Sequence, residues 1–327
     1  MSKVLITPQT LAGLEGPHLE VLRQAGFEPV FPAHPVQLTE EDLLRSLQGV
    51  AAAIAGSEPY TRRVIEANPS LRVIARAGVG FDGVDLTAAT ERGVAVTIAP
   101  NTNQDSVAEH TFALILGLAK DLVAQHLAVR AGGWPRKANL PLRGRTLGIV
   151  GLGRIGKAVA RRGAAFGMRL LAYEPFPDAA FVQSCGVTLV PLEQLLAEAD
   201  FVTLHVPLTA ASRYLINQKT LALMKPTAFL INTARGGLVC EADLLEALRE
   251  RRIAGAALDV FEQEPTSAAN PLFQLDNVLV TPHAAGVDLQ SREDMAVSAA
   301  QAIVALSRGE WPAEKVVNPE VRARFRW

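Results

Sequence analysis

Three side chains of different chemistry stand in short, separate strings of the sequence: Arg235 in INTARGG, Glu264 in DVFEQEP and His283 in TPHAAG. A guanidinium fork grips a carboxylate through parallel hydrogen bonds and polarises a neighbouring carbonyl. An imidazole moves a proton near neutral pH, and a carboxylate beside it favours the imidazolium. Hydride exchange with a 2-oxo acid uses all three functions. Singly, each residue has an ordinary explanation: an Arg at a strand end, or a His and a Glu in solvated loops. Their shared placement gives them weight. Each follows a run that reads as a strand (AFLINTA, AALDV, VLVTP), at the carboxyl edge of a sheet, where doubly wound folds bind ligands. His205 in FVTLHVPLT also ends a strand and is the rival acid–base group. It has no acidic partner nearby in sequence and is read as lining a cofactor pocket.

A fourth string, GLGRIG, places Gly151, Gly153 and Gly156 directly after the apolar strand TLGIV and at the start of the helix KAVARRGAAF. The first glycine permits the tight turn, the second lets the backbone approach a pyrophosphate, and the third lets helix pack on strand. The next strand, RLLAYE, ends in Glu174, near the ~20-residue spacing expected of a ribose-binding acid. A carboxylate there accepts hydrogen bonds from both ribose hydroxyls and repels a 2′-phosphate. Pro175, Phe176 and Pro177 bring no Arg for that phosphate, so NAD is expected rather than NADP.

These groups need a scaffold, and the chain alternates strands with helices throughout. KVLIT, FEPVF, VAAAIAG, LRVIARAG and VAVTIA are separated by helical patterns, and the strands are apolar throughout, as in a parallel sheet covered on both faces. A long helix is expected from about Ser106 to Arg130. After WPRKANLPLRGR a second series (TLGIV, RLLAYE, VTLV, FVTLHV, AFLINTA, AGAALDV, VLVTP) suffices for a six- or seven-stranded doubly wound sheet. The last helix, from about Leu289 to Ser307, is expected to return to the first domain, because the residue count leaves no third core. Pro100 marks the boundary. The expected class is α/β with two doubly wound parallel-sheet domains: residues 1–99 and 287–327 in one, 100–286 in the other.

Composition narrows the partners. The 327 residues are 49% hydrophobic with a formal net charge of -1, which leaves no basic field for nucleic acid or acidic lipid. A small molecule is the expected ligand. Two cysteines, Cys185 and Cys240, lie far apart, and the histidines show no paired metal-ligand spacing, so reduced thiols, a cytoplasmic location and no metal are expected. MSKVLITPQ lacks the pattern of a secretion signal. TFALILGLA is well short of the ~20 residues that cross a bilayer, so no membrane association is expected.

With RAGVGFDGVDL, NTNQDSVAEHT, GLGRIGKAVA, HVPLT, LMKPTAFLINTARGG, AALDVFEQEP and TPHAAG in order, the chain resembles the D-isomer-specific 2-hydroxyacid dehydrogenases, in particular their phosphoglycerate dehydrogenase-like branch, over essentially its whole length. The resemblance implies a Rossmann NAD domain inserted in a flavodoxin-like substrate domain, with hinge closure and a homodimer formed through the NAD domain. It assigns substrate binding and carbonyl polarisation to Arg235, orientation of the imidazole to Glu264, and acid–base chemistry to His283. It places Arg154 and Ile155 against the pyrophosphate, lines the cofactor with His205, Val206, Pro207, Thr233 and Ala234, and gives Asp259 the nicotinamide carboxamide. Arg76, Val79, Gly80 and Asn103 fall on substrate-binding positions.

Three departures bear on what the family pattern carries over. Cys240 replaces the usual Asp before EADLLEAL, a poor N-cap for a good one, with a modest stability cost expected. Ala55 stands where phosphoglycerate-specific members carry a phosphate-binding Arg, with Arg76 as a partial substitute. No C-terminal regulatory domain is expected. The substrates that follow are 3-phosphoglycerate/phosphohydroxypyruvate, or alternatively glyoxylate/hydroxypyruvate; formate-type oxidation is disfavoured by Glu rather than Gln at Glu264. A non-catalytic NAD-sensing protein is the alternative from another class, and this chain lacks the disordered extensions such proteins use.

Overall fold

The computed structural model describes residues 1–34 and 37–327. It divides into two compact units, residues 1–103 with 286–327 and residues 104–285. Among the described residues the first unit holds a five-stranded parallel sheet, ordered β2-β1-β3-β4-β5. Its strands are β1 (Lys3–Ile6), β2 (Glu28–Val30), β3 (Val50–Ala55), β4 (Val73–Arg76) and β5 (Ala95–Thr97). That order is the flavodoxin-like one. Successive side chains alternate between two cores, as a pleated strand requires. Ala52, Ile54, Val73 and Ala75 join one core, and Ala53, Ala55 and Ile74 the other. The helix Leu289–Ser307 covers the first face with Ala296, Ala299 and Ala300, small residues that let it lie close to the sheet, and with Ile303.

Among the described residues, the second unit is a seven-stranded parallel sheet ordered β12-β11-β10-β9-β6-β7-β8. Its strands are β6 (Thr146–Val150), β7 (Arg169–Tyr173), β8 (Thr188–Leu189), β9 (Phe201–Leu204), β10 (Phe229–Asn232), β11 (Gly255–Leu258) and β12 (Val278–Val280). The order reverses beside β6, which makes the carboxyl end of β6 the topological switch point of a dinucleotide-binding sheet. Alternation again splits the core: Leu147 and Ile149 face one side, while Val150, Val202 and Leu204 face the other.

One expectation fails in detail. The single helix expected from Ser106 to Arg130 is two, Gln104–Ala119 and Leu122–Arg130, bent by 60°. Asp121 at the junction adopts φ 50°, a left-handed conformation that interrupts the helical ladder. The reason is burial. The first segment packs Val107, Phe112, Leu114 and Ile115 in the core, whereas the second buries none of its residues. Among the described residues, no single helix is long and apolar enough to cross a membrane.

Candidate active site

Six of the segments that leave the carboxyl edge of the second unit's sheet, after β6, β7, β9, β10, β11 and β12, carry residues marked in the sequence. The turn after β10 is fixed by Asn232, whose side-chain amide donates to the Arg235 carbonyl at 2.8 Å while its oxygen accepts from the Ala234 N–H at 3.0 Å. Arg235 leaves this turn with Nη1 donating to the Ala234 carbonyl at 2.6 Å. Gly236 lets the turn lie against the segment after β11: a Cβ there would stand 1.9 Å from the Phe261 carbonyl. That segment curls back so that Glu264 Oε1 accepts from the Phe261 N–H at 2.9 Å, leaving Oε2 at 2.6 Å from His283 Nδ1. Arg235, Glu264 and His283 therefore share one sheet edge, and the last two are in contact.

Asp259, fully buried, organises the loop that presents His283. Its carboxylate accepts from the Thr281 hydroxyl at 2.6 Å and from the Ala284 and Ala285 amides at 2.9 Å each. Its carbonyl accepts from the His283 N–H at 2.7 Å. His283 itself sits at φ 54°, a conformation uncommon outside glycine that this network holds in place. His110 Nε2 lies 3.0 Å from Thr281 Oγ1 and 3.6 Å from the Asp259 carboxylate, a second imidazole at the base of the loop. Sequence reasoning passed over Asn232, Thr281 and His110. Thr281 and His110 lie 171 residues apart, so no local pattern announces their pairing.

A carboxylate only accepts, so the proton on the His283–Glu264 bond belongs to Nδ1, and Nε2 takes no part in that bond. Burial raises the Glu264 carboxyl, but the His283 hydrogen bond and charge, the Phe261 amide and the Arg235 charge outweigh it and hold it below the usual glutamate value. The sign follows: the stabilisation this group contributes is fully present above pH 4.5, the ordinary glutamate value, and is lost as pH falls through the lower folded value. His205 is a poor rival. Its Nε2 lies 2.9 Å from Thr203 Oγ1, and its Nδ1 is enclosed without a protein partner although part of the residue remains accessible. Burial pushes it down to about 3, so it stays a neutral imidazole at neutral pH rather than the imidazolium an acid catalyst needs.

The turn after β6 fits a dinucleotide. Gly151 takes φ 96°, and a Cβ on Gly156 would lie 2.0 Å from the Gly151 carbonyl oxygen. Open space surrounds the Cβ position of Gly153, which begins the helix Arg154–Ala165 with no side chain capping it. Uncapped amides of a twelve-residue helix, facing an unobstructed backbone, suit a pyrophosphate. Arg154 is exposed at this helix start, while Ile155 packs partly on the core. Val206 and Pro207 leave β9 half-buried and exposed respectively, and Thr233 is buried with its hydroxyl 3.0 Å from that of Thr111.

Glu174 clamps the same turn: Oε2 accepts from the Leu152 N–H at 2.8 Å, and Oε1 from the Phe176 N–H at 2.9 Å. Glu174→Ala should raise the KM for NADH roughly tenfold through loss of charge-assisted hydrogen bonds, with little change for NADPH. Steady-state kinetics with both cofactors measures the narrowing; an unchanged NADH/NADPH ratio would remove Glu174 from cofactor selection.

In the first unit, Arg76 ends β4 and donates from Nε to the Gly80 carbonyl at 2.8 Å, bracing the turn that contains Val79 and Gly80. Asn103 is buried at the end of this unit's first segment. Cys240 begins the helix Glu241–Arg249 without a side-chain cap, as expected, but the Glu241 amide is satisfied at 2.8 Å by Glu262 Oε1. Among the described residues, no group of three metal-binding side chains forms.

A glycine turn at the switch point, a carboxylate ending the next strand and a histidine–glutamate contact on the same sheet edge suit one class, an NAD-dependent oxidoreductase, and the comparisons with known proteins show it. Residues 112–285 match the family model of the D-isomer specific 2-hydroxyacid dehydrogenase NAD-binding domain. The chain belongs to that family. It is 45% identical to a glyoxylate reductase of Korarchaeum cryptofilum over 81% of each chain. It is 41% identical to a D-3-phosphoglycerate dehydrogenase of Methanocaldococcus jannaschii over 97% of its own length, spanning 60% of that longer protein. The structure of D-lactate dehydrogenase from Aquifex aeolicus, solved with NAD and lactic acid, superposes with a TM-score of 0.84 at 29% identity, covering 97% of this chain and 99% of that one.

Proposed function

We propose that the protein interconverts a D-2-hydroxy acid and its 2-oxo acid, with His283 as the acid–base group. The observation that carries this reading is the 2.6 Å contact between His283 Nδ1 and Glu264 on the sheet edge that also bears the glycine turn. Bound nicotinamide supplies or accepts the hydride at the substrate's C2. In the reducing direction His283 gives its Nε2 proton to the carbonyl oxygen as that oxygen gains charge, and Glu264 compensates the imidazolium. Arg235 binds the substrate and polarises the same carbonyl. In the oxidising direction His283 takes the hydroxyl proton back. Gly151, Gly153, Arg154, Ile155 and Gly156 hold the pyrophosphate, Glu174 the ribose, and His205, Val206, Pro207, Thr233 and Ala234 line the nicotinamide half. Asp259, already engaged by three donors, retains an acceptor site for the carboxamide. Arg76, Val79, Gly80 and Asn103 belong to substrate binding.

The domain roles follow the same reading: residues 104–285 serve the cofactor and the other unit the substrate. A homodimer through the cofactor unit is supported by the helix Leu122–Arg130, which exposes Leu122, Val123, Leu127 and Val129, and by Trp134 at 79% exposure. Monomers rarely leave such a cluster open to water. Light scattering should give twice the 34.9 kDa chain mass; a monomer at micromolar concentration overturns the dimer. The balanced charge and the family's dehydrogenases support a cytoplasmic enzyme.

Loss of NADH absorbance with glyoxylate, hydroxypyruvate, pyruvate, branched 2-oxo acids and phosphohydroxypyruvate tests the reaction. Turnover with at least one is expected. Tight NADH binding without any turnover would replace the enzyme reading with an NAD-sensing one.

A further inference from the structure

One face of the helix Gln104–Ala119 reaches both ends of the loop that carries His283. Ser106 and His110 lie one helical turn apart, so their side chains share that face. Ser106 Oγ donates to the Ala285 carbonyl at 2.9 Å, just beyond His283, and His110 Nε2 lies 3.0 Å from Thr281 Oγ1, just before it. The helix is seated tightly on β12, since a Cβ on Gly117 would stand 2.9 Å from Leu279 Cδ2. Chemistry fixes the direction of each hydrogen bond. The Asp259 carboxylate only accepts, so the Thr281 hydroxyl commits its proton to Asp259 Oδ1 at 2.6 Å. Thr281 Oγ1 therefore turns a lone pair toward His110, and the Asp259 oxygen 3.6 Å from the same nitrogen is an acceptor too. Facing acceptors only, His110 carries a proton on Nε2 and donates it to Thr281. A directed chain results: His110 holds Thr281, Thr281 holds Asp259, and Asp259 holds the Ala284 and Ala285 amides at 2.9 Å each.

We propose that His110 and Thr281 are positioning residues that hold His283 in its proton-transferring pose, with Ser106 as the second point of the same clamp. The proposal rests on the reading above, in which His283 is the acid–base group. The pose needs a clamp because His283 sits at φ 54°, and a left-handed backbone persists only where its surroundings over-determine it. Glu264 fixes the imidazole through Nδ1 but makes no bond to the backbone from which the ring hangs. That backbone is held by Asp259, and the side chain tying Asp259 to the helix is Thr281. A displacement of about 1 Å far from the chemistry costs on the order of a hundredfold in rate, so a bond remote from the substrate becomes visible in turnover. Losing His110 leaves the Thr281, Ala284 and Ala285 donors on Asp259 in place. Cofactor binding should therefore change far less than turnover.

With the best 2-oxo acid of the panel above, His110→Leu should lower kcat about tenfold to a hundredfold while the Kd for NADH stays within about threefold. His110→Gln returns an amide N–H donor and should recover at least about fivefold of that loss. Thr281→Val keeps the shape without the hydroxyl and should behave as His110→Leu does, with Thr281→Ser recovering turnover in the same way. The decisive measurement is a double-mutant cycle. In a His283→Asn background His110→Leu should cost less than about twofold, because no proton donor remains to be misplaced. A general structural defect would cost the same factor in both backgrounds, and that result overturns the proposal. So does a folded His110→Leu with kcat within about twofold of the unmodified enzyme, or a His110→Gln no better than His110→Leu. Should His110→Leu not fold, Thr281→Val takes its place in the cycle. If no 2-oxo acid is reduced, or His283→Asn turns over normally, the acid–base reading fails on its own. Amide hydrogen exchange then decides on the clamp: Ala284 and Ala285 exchanging at least about tenfold faster in His110→Leu support it, and unchanged exchange refutes it.

Discussion

His283→Ala lowers kcat for 2-oxo acid reduction by about 10²–10⁴-fold, the range that a positioned proton donor contributes. Binding of NADH is retained in the same variant, because the loop is anchored by backbone groups. The His283, Ala284 and Ala285 amides all donate to Asp259, and none of these bonds needs the imidazole. One complication is conformational: at φ 54° an alanine is disfavoured, so a shifted loop would add to the loss. His283→Asn separates the two, since asparagine tolerates the left-handed region yet cannot move a proton. An equal loss in both variants, with NADH fluorescence titrations unchanged, assigns the effect to proton transfer. Turnover within tenfold of the unmodified enzyme in either would remove His283 from the chemistry. Glu264→Gln keeps the shape of the partner but removes its charge, so a smaller loss, about tenfold to a hundredfold, is expected there.

How much of this was legible in the sequence varies with the range of the interaction. Strand positions were readable because parallel strands buried on both faces are apolar runs, and both sheets contain the runs expected. The glycine turn was readable because Gly151 and Gly156 do a local job, where one residue's backbone meets another five positions away. The break at Asp121 was not: LVAQHLAV is less apolar than TFALILGLA but continues the same helical pattern, and the difference in tertiary packing separates the buried helix from the exposed one. Arg235, Glu264 and His283 were found as types at strand ends, but the bond between the last two spans 19 residues and rests on a curl of the chain closed by the Phe261 amide. Asp259 illustrates the limit most clearly. The family resemblance implies a ligand contact for it, whereas the structure makes it the anchor of the His283 loop. The burial of Glu58, 2% exposed in the turn after β3, had no signal, since a glutamate in a Gly-Ser-Glu-Pro turn ordinarily lies in solvent.

Arg235→Lys should lower kcat/KM for the 2-oxo acid by about a hundredfold, equivalent to roughly 2.8 kcal/mol of transition-state binding. The charge survives the substitution, so the expected loss measures geometry. A guanidinium presents a rigid fork that can span a carboxylate and an adjacent carbonyl oxygen, while an ammonium is a point charge on a flexible stem. The stem of Arg235 starts from a fixed place, because its backbone turn is closed by both ends of the Asn232 amide and the adjoining glycine packs on the Phe261 carbonyl. Arg235→Ala removes the charge too and should cost about tenfold to a hundredfold more. The same charge helps hold Glu264 ionised, so each variant is also measured for NADH affinity and melting temperature. A loss confined to substrate kinetics, partly restored to Arg235→Ala by free guanidinium ion, locates Arg235 at the substrate. Equal losses in NADH affinity, without such rescue, would instead make it a brace for the Glu264 segment.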